Sequence, residues 1–477
     1  MQNETKIQTT PLTTLSGVNK VYFIGIGGIG MSAIARYFHS RKIQVSGYDK
    51  TPTPLTRELE SEGISVHYAE DPENLEKDVD LVVYTPAVPA SHKELRYYQD
   101  KGYSVVKRSD VLQAISAESF NICIAGTHGK TTITTMIAHI LRHSGYGCNA
   151  FLGGIAVNYH TNFWSSDRNV CVIEADEYDR SFLKLSPDIA IITAMDADHL
   201  DIYGDERSVQ DAFVAFGNKL KKNGLLISKF GLKRTVEIDT ENRLSYSLQN
   251  EAADVFATDI RIQNGGYMFN VRLADTMLNK VKLNIGGMHN VENAIAAIAV
   301  AHALKIEEDK ISEAIAAFRG VKRRFEYILP PKDSAKGTFI APVLVDDYAH
   351  HPEELRALLS SVRTLFPQRI VTVIFQPHLY TRTRDFASGF ATALSLADEV
   401  VLLPIYPARE LPIEGVTSEL IAGKVTAEGK KVMSKEEVLG WLKSRIWNKE
   451  FGEVIVMAGA GDIDALVQPV KEIVEQA

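Results

Sequence analysis

The sequence predicts an α/β protein of three domains, and three observations carry that prediction. Its 477 residues exceed what one hydrophobic core organises, and ordinary domain size gives about three. An apolar strand, a glycine-rich turn and an apolar-periodic helix follow one another twice, in VYFIGIGGIGMSAIA and in NICIAGTHGKTTITTMIAHIL. Strand–helix alternation then resumes beyond residue 340 and runs nearly to the end of the chain. The expected boundaries are 1–118 for a Rossmann-like first domain, 119–325 for a central P-loop ATPase-type domain and 326–477 for a Rossmann-like last domain.

Composition removes several function classes. Basic and acidic residues are balanced at 52 and 60, for a net charge of −8, and no long single-sign run occurs. The electrostatic footprint of nucleic-acid or membrane-surface binding is therefore missing. No apolar run reaches membrane-spanning length, and MQNETKIQTTPLTTLSG lacks the apolar centre of a signal peptide. Cys123, Cys148 and Cys171 show no metal-ligand spacing, and Cys123 and Cys171 sit in apolar runs. They read as core thiols of a cytosolic protein.

In the first domain VYFIGIGGIGMSAIARYFHSRKIQVSGYD reads as strand, turn, helix, strand, with Gly25, Gly27, Gly28 and Gly30 in the turn. Such glycines let a backbone approach a diphosphate at a helix N-terminus, and Asp49 closes the second strand where a ribose hydroxyl is met. The pattern fits a dinucleotide or a nucleotide-sugar and does not choose between them. A helix over 55–63, a strand over 80–89 and a strand–helix pair over 104–115 complete the domain. Thr85 and Pro86, at a strand's carboxyl end, are either ligand contacts or a plain turn.

The central domain opens on the strand NICIA and the loop GTHGKTT. Its backbone N–H groups from Gly126 to Gly129 can wrap an oxyanion, Lys130 brings a full charge to terminal phosphates, and Thr131 can hold a magnesium ion. The loop is two residues shorter than the usual phosphate loop, and Ile124 stands where that motif has its first glycine. The strand NVCVIEADEYD ends in Glu174, Asp176, Glu177 and Asp179 on the side where the phosphates sit, with Glu174 the expected magnesium ligand. The next strand ends in Asp196, Asp198, His199 and Asp201, and His199 is placed to ligate or orient a second metal. Strand-rich sequence follows over 225–285, with Asn264-Gly265-Gly266 as a hairpin turn. GMHNVENAIAAIAVAHAL is an Ala-rich helix on which His289 and Asn293 share a face, either packing in the core or reaching a base.

FRGVKRRFEYILPP marks the junction to the last domain, with Arg323 and Arg324 ahead of a proline pair. Its strand ends carry Asp346, Asp347, His350, His351, His378, Arg382 and Arg384, more polar chemistry than a packing domain needs.

Taken together, FIGIGGIGMSAIA, GTHGKTT, EADEYDRSFL, DADHLDIYG, GMHNVENAIAAIAVA, RRFE, DDYAHHP, FQPHLYTRTRDF and GAGDI resemble the Mur ligases of peptidoglycan synthesis, in the right order over nearly the whole chain. The resemblance implies that the three domains hold UDP-N-acetylmuramate, ATP and L-alanine in turn, and that an amide forms through an acyl phosphate. It implies ATP contacts at Gly126, Thr127, His128, Gly129, Lys130, Thr131 and Thr132, with His289 and Asn293 at adenine and Arg324 and Asp347 completing the nucleotide site. Thr131, Glu174 and His199 would surround Mg2+, and His378 and Arg382 would serve the amino acid. Where many family members carry a carbamoylated lysine, this chain has Phe213. A ligase adding an intact tripeptide to the same sugar nucleotide shares these loops. From other classes, an NAD-dependent dehydrogenase accounts only for the first turn, and a regulatory nucleotide-binding module leaves the polar strand ends of the last domain without a role.

Overall fold

The computed structural model describes residues 12, 14–178, 180–197, 200–332, 340–408, 410–447 and 452–476. The chain forms two compact units, one of residues 1–256 with 295–314 and the other of 257–294 with 315–477. Among the described residues no helix is long and apolar enough to cross a membrane.

The first unit begins with β1 (Lys20–Ile24), α1 (Ile29–Ser40), β2 (Gln44–Tyr48), α2 (Pro54–Ser61), β3 (Ser65–His67), β4 (Leu81–Tyr84), α3 (Lys93–Asp100), β5 (Val105–Lys107) and α4 (Arg108–Ala117). The five strands are parallel in the order β3-β2-β1-β4-β5. Helices on both faces explain why Val21 to Ile24 are buried without alternation. The sequence reading anticipated all of these except the short β3 and the helix α3.

A second sheet follows in the same unit, from β6 (Phe120–Ala125), α5 (Lys130–His143), β7 (Asn149–Ala156), β8 (Thr161–Trp164), β9 (Val170–Glu174), β10 (Ile189–Ile192), α6 (Leu200–Tyr203), α7 (Glu206–Gly217), β11 (Leu225–Lys229) and β12 (Arg243–Ser247). Its order is β12-β11-β10-β6-β9-β7-β8, so β6 lies between β9, which ends in Glu174, and β10, whose following segment carries Asp196. The opening residues of β13 (Val255–Gln263), Val255 and Phe256, pair with Tyr246 and Ser247.

Helix α1 ties the two sheets together. It packs on β7 and β8 as well as on its own sheet, which is why Met31 through Arg36 and Phe38 are all buried. One apolar cluster runs from Phe23, Ile34 and Phe38 to Phe151, Phe163, Ile173 and Phe213. The Tyr37 ring meets Phe151 and Phe163 at centroid distances of 5.7 and 6.1 Å. Inside this seam the Arg36 guanidinium bonds Glu62 at 2.7 and 2.8 Å and also donates to Asn162 Oδ1. The Asn162 amide in turn donates to Ile29 O and to Ser32 Oγ.

In the second unit β13, β14 (Gly266–Arg272) and β15 (Met277–Leu283) are neighbours, and the predicted hairpin is present, with φ of 49° at Asn264 and 73° at Gly265. After α8 (Met288–Ala303) and α9 (Glu308–Ala317) come β16 (Glu326–Leu329), β17 (Val343–Asp347), α10 (Pro352–Leu365), β18 (Ile370–Phe375), α11 (Tyr380–Leu394), β19 (Glu399–Leu402), α12 (Glu419–Ala422), β20 (Gly429–Val432), α13 (Lys435–Ser444), β21 (Glu453–Ala458) and α14 (Val467–Val474). The sheet order is β16-β17-β21-β18-β19-β20, antiparallel only at β16. β21 is central, and all six of its residues are buried.

Replacing Asn162 by Ala leaves a buried guanidinium N–H, the Ile29 carbonyl and the Ser32 hydroxyl without their shared partner. The expected cost is about 2–4 kcal/mol, read as a fall of several degrees in the thermal midpoint of the full chain.

Candidate functional site

The central feature is the loop between β6 and α5. Gly126 adopts φ 134°, and a Cβ there would stand 2.0 Å from Thr193 Oγ1, so only glycine leaves the strand in this direction. Gly129 caps α5 with φ 81° and has no side chain of its own to bond the first-turn N–H groups, which suits an anion. Thr193 fixes the far side, donating its hydroxyl to His128 O and its N–H to Ala125 O. Thr127 Oγ1 accepts from Asp196 N at 3.3 Å. The His128 ring lies 3.8 Å from Asp196 with both side chains in solvent, a contact worth little. Thr132 is buried in the first turn of α5.

Lys130 Nζ makes two bonds of 2.7 Å, one to Gly126 O within its own loop and one to Glu177 Oε1. Thr131 Oγ1 donates to Glu174 Oε1 at 3.0 Å, and Gly153 N donates to Glu174 Oε2 at 3.1 Å. The threonine after Lys130 and the first carboxylate of β9 are thus in direct contact. Two hard oxygen donors suit magnesium, which takes one or two protein ligands and completes its shell with water and phosphate. Among the described residues no group of three His, Cys, Asp or Glu side chains gathers. His199, Asp198 and Asp179, named from the sequence, lie outside the described residues. Phe213 is fully buried, edge-on to Phe182 at 5.6 Å, so that position is part of the core.

At the first turn, Gly25 and Ile26 donate their N–H groups to Tyr48 O, and Gly28 caps α1 without a side-chain bond. Asp49 Oδ2 accepts from Gly27 N at 2.8 Å, so in this state the carboxylate braces the turn itself. The Thr85 methyl packs over Gly25, and the Arg108 guanidinium lies across Gly30, where a Cβ would meet it at 2.6 Å. Arg108 was not singled out from the sequence; its signal is a basic residue opening a helix directly after a strand. Arg108, Ser109 and Leu112 line the same hollow as Glu174, Asp176 and Ser181, which brings the start of α4 and the acidic strand end together.

Helix α8 differs in burial between its start and its body. Ala294 to Ala301 are buried, whereas His289 at the helix start is exposed, with its ring folded over Gly287, where a Cβ would meet it at 2.4 Å. Surrounding protein, and more weakly the Arg324 charge, hold the His289 imidazole below its ordinary pKa, against Glu292. Asn293 donates to Asn290 Oδ1 at 3.1 Å. Asp347 accepts from Phe325 N at 2.7 Å and Ala349 N at 2.8 Å, which stabilises the positive φ of 47° at Phe325. Arg324 itself is exposed. Beyond β18, Arg382 Nη1 lies 3.4 Å from His378 Nδ1, and the His378 ring stacks on Tyr406. Desolvation first, then Arg382 and His350, lower the His378 pKa, with Glu410 opposing. Arg384 is half exposed and paired with Asp385 at the surface. Asp346 is buried, 3.7 Å from Arg323 Nε, and its Oδ1 has no hydrogen-bond partner among the described residues.

The chain matches three family descriptions in sequence: the Mur ligase family catalytic domain over 20–120, the Mur ligase middle domain over 124–301 and the Mur ligase glutamate ligase domain over 323–461. It is 48% identical over 476 residues to the UDP-N-acetylmuramate--L-alanine ligase of Cytophaga hutchinsonii, covering 97% of this chain and 98% of that one. The enzyme of the same description from Porphyromonas gingivalis is 46% identical over 465 residues, covering 96% and 99%. Among solved structures, UDP-N-acetylmuramate-alanine ligase from Thermotoga maritima superposes with a TM-score of 0.78 at 30% identity, covering 96% and 98%. A murein peptide ligase from Psychrobacter arcticus shares the fold with a TM-score of 0.63 at 22% identity, covering 97% and 99%.

The buried aspartates at the end of β17 give a pH dependence. Desolvation raises Asp346 to about 7, against Arg323 and with help from Glu326, Asp347 and Asp464. It raises Asp347 to about 6, against the Phe325 and Ala349 N–H groups and Arg324, with Glu354 adding to the rise. Folded values above the unfolded one mean that the folded state binds more protons between about pH 4 and 7. The stabilisation is therefore complete at the acid end of that window and is lost as pH rises through it. The unfolding midpoint of the full chain should fall between about pH 5 and pH 8, and Asp346→Asn should flatten that slope. An unchanged slope in the variant rules out Asp346 as its source.

Proposed function

This chain belongs to the Mur ligase family, and we propose that it joins L-alanine to the lactoyl carboxylate of UDP-N-acetylmuramate, converting ATP to ADP and phosphate in the synthesis of a peptidoglycan precursor. The observation that carries the reading is the loop at the end of β6, with Lys130 and the Thr131–Glu174 contact at its mouth, in a chain 48% identical to an L-alanine-adding ligase over nearly its full length.

In this reading residues 1–118 hold the sugar nucleotide, with Gly25, Gly27, Gly28, Gly30, Asp49 and Thr85 about the diphosphate and ribose. Residues 119–325 hold ATP. Residues 326–477 hold the amino acid. The open N–H groups of the loop and the start of α5 bind phosphate oxygens, and Lys130 stabilises charge on the transferred group as the lactoyl carboxylate attacks it. Thr131 and Glu174, with His199, are the residues that would hold Mg2+, which when bound offsets the mutual repulsion of triphosphate and carboxylate. His289 and Asn293 take the adenine, with Arg324 and Asp347 completing that site. The neutral amine of alanine then displaces phosphate from the acyl phosphate. Arg382 meets the developing oxyanion or the alanine carboxylate, and His378, kept neutral, lies beside it. The three cysteines are buried free thiols, which supports a reducing, cytoplasmic setting.

Phosphate release from ATP should require UDP-N-acetylmuramate and L-alanine together, and release with neither present would sink the ligase assignment. Lys130→Ala should lower turnover by about two to three orders of magnitude, measured as ADP formation at saturating substrates. Arg382→Ala should leave equilibrium binding of ATP and of UDP-N-acetylmuramate near wild type and cut ligation by roughly a hundredfold. A normal rate at both low and saturating alanine would remove Arg382 from the site.

A further inference from the structure

The ammonium that the nucleotide needs is already neutralised by the protein. Lys130 Nζ bonds Gly126 O and Glu177 Oε1, each at 2.7 Å. The first bond is internal to the loop. The second is a full ion pair, and its carboxylate is 1% exposed, with Oε2 lacking a hydrogen-bond partner among the described residues. Glu174, three residues earlier, differs: its two oxygens are held by Thr131 and Gly153 rather than by the lysine. The main chain at Glu177 is pinned, because Glu177 O accepts from Tyr203 Oη at 2.6 Å and from Arg180 N at 2.9 Å.

We propose that Glu177 is a place-holder for the triphosphate: a positioning residue that supplies Lys130 with an anion while the loop is empty and hands it over when ATP arrives. The proposal rests on reading this loop as the ATP site. Two anions cannot share one ammonium at this depth, because the buried carboxylate has no solvent to screen it from phosphate oxygens. The phosphate has the stronger claim, since the loop N–H groups and the start of α5 also bind it. With the Glu177 backbone anchored, the exchange is a side-chain rotation. It leaves Lys130 pre-aimed through its bond to Gly126. The arrangement keeps the empty loop ordered and weakens the first encounter with ATP, because binding must break an ion pair before making one.

The test is calorimetric titration of the full chain with ATP, in wild type, Glu177→Gln and Glu177→Asp, with no other substrate present. Glu177→Gln keeps the shape and removes the competing charge, so ATP should bind roughly tenfold tighter, and in steady state KM for ATP should fall without a rise in kcat. Glu177→Asp keeps the charge but draws it back by one methylene, and its affinity should lie between the two. Loss of a merely structural carboxylate would weaken binding, so equal or weaker affinity in the Gln variant overturns the proposal. Should the Gln variant not fold, the Asp variant decides: affinity above wild type supports the exchange, and affinity at or below it overturns it. Failure of wild type to bind ATP at all is a different result, which overturns the reading of the loop and this proposal with it.

Discussion

The bond from the Lys130 ammonium back to the carbonyl of Gly126 closes the loop at the end of β6 on itself, and the organisation of the first unit follows from where that loop emerges. β6 lies between β10 and β9, so the loop leaves the sheet with Glu174 at the end of one neighbour and Asp196 in the segment that follows the other. Open parallel sheets bind ligands where neighbouring strands diverge at their carboxyl ends, and here that place is also where the negative charge is concentrated. The acids do not crowd an empty basin. The Glu174 carboxylate is held by Thr131 and Gly153 and that of Glu177 by Lys130, while the main chain of Asp196 donates to Thr127 Oγ1, so the anionic edge is braced largely by the loop it surrounds.

Much of this was legible in the sequence because the signals are local. Glycines at fixed offsets, an apolar run before them and Lys-Thr after them specify a strand, a loop and a helix regardless of what lies far away in the chain. The hairpin at Asn264-Gly265 was readable for the same reason, since both residues tolerate the left-handed backbone it uses. Pairings between distant side chains were not. Four acids within six residues, Glu174 to Asp179, look alike in spacing, and only the turn after β9 selects Glu177 for Lys130 and Glu174 for Thr131. Asp49 was read as a ribose contact from its place after β2, while its carboxylate reaches back to Gly27 N. Arg108 gave almost no signal, because a lone basic residue at a helix start is common on solvated surfaces.

The second unit concentrates its unusual backbone at the RRFE segment. Arg323 and Phe325 both have positive φ without being glycine, a conformation that needs support from outside the segment. Asp347 supplies it by accepting from Phe325 N, and Glu326 adds a bond from Arg323 N. Residues of β17 thereby set the direction in which Arg323 and Arg324 leave the chain. Arg323 turns inward to Asp346 and Gly459 O, and Arg324 outward to solvent, where its charge is felt at His289. A run of two identical residues thus divides into one that holds the sheet and one that faces solvent.

The seam along α1 also bears on how the protein is made. The helix is complete once Ser40 has been synthesised, but the strands that cover its outer face end at Trp164. At roughly 5–20 residues per second, ribosomes reach that point on the order of ten seconds later. During that interval Tyr37 has neither Phe151 nor Phe163 to pack on, and Arg36 lacks Asn162. The nascent first sheet therefore carries an uncovered apolar stripe and a half-satisfied charge while still tethered to the ribosome.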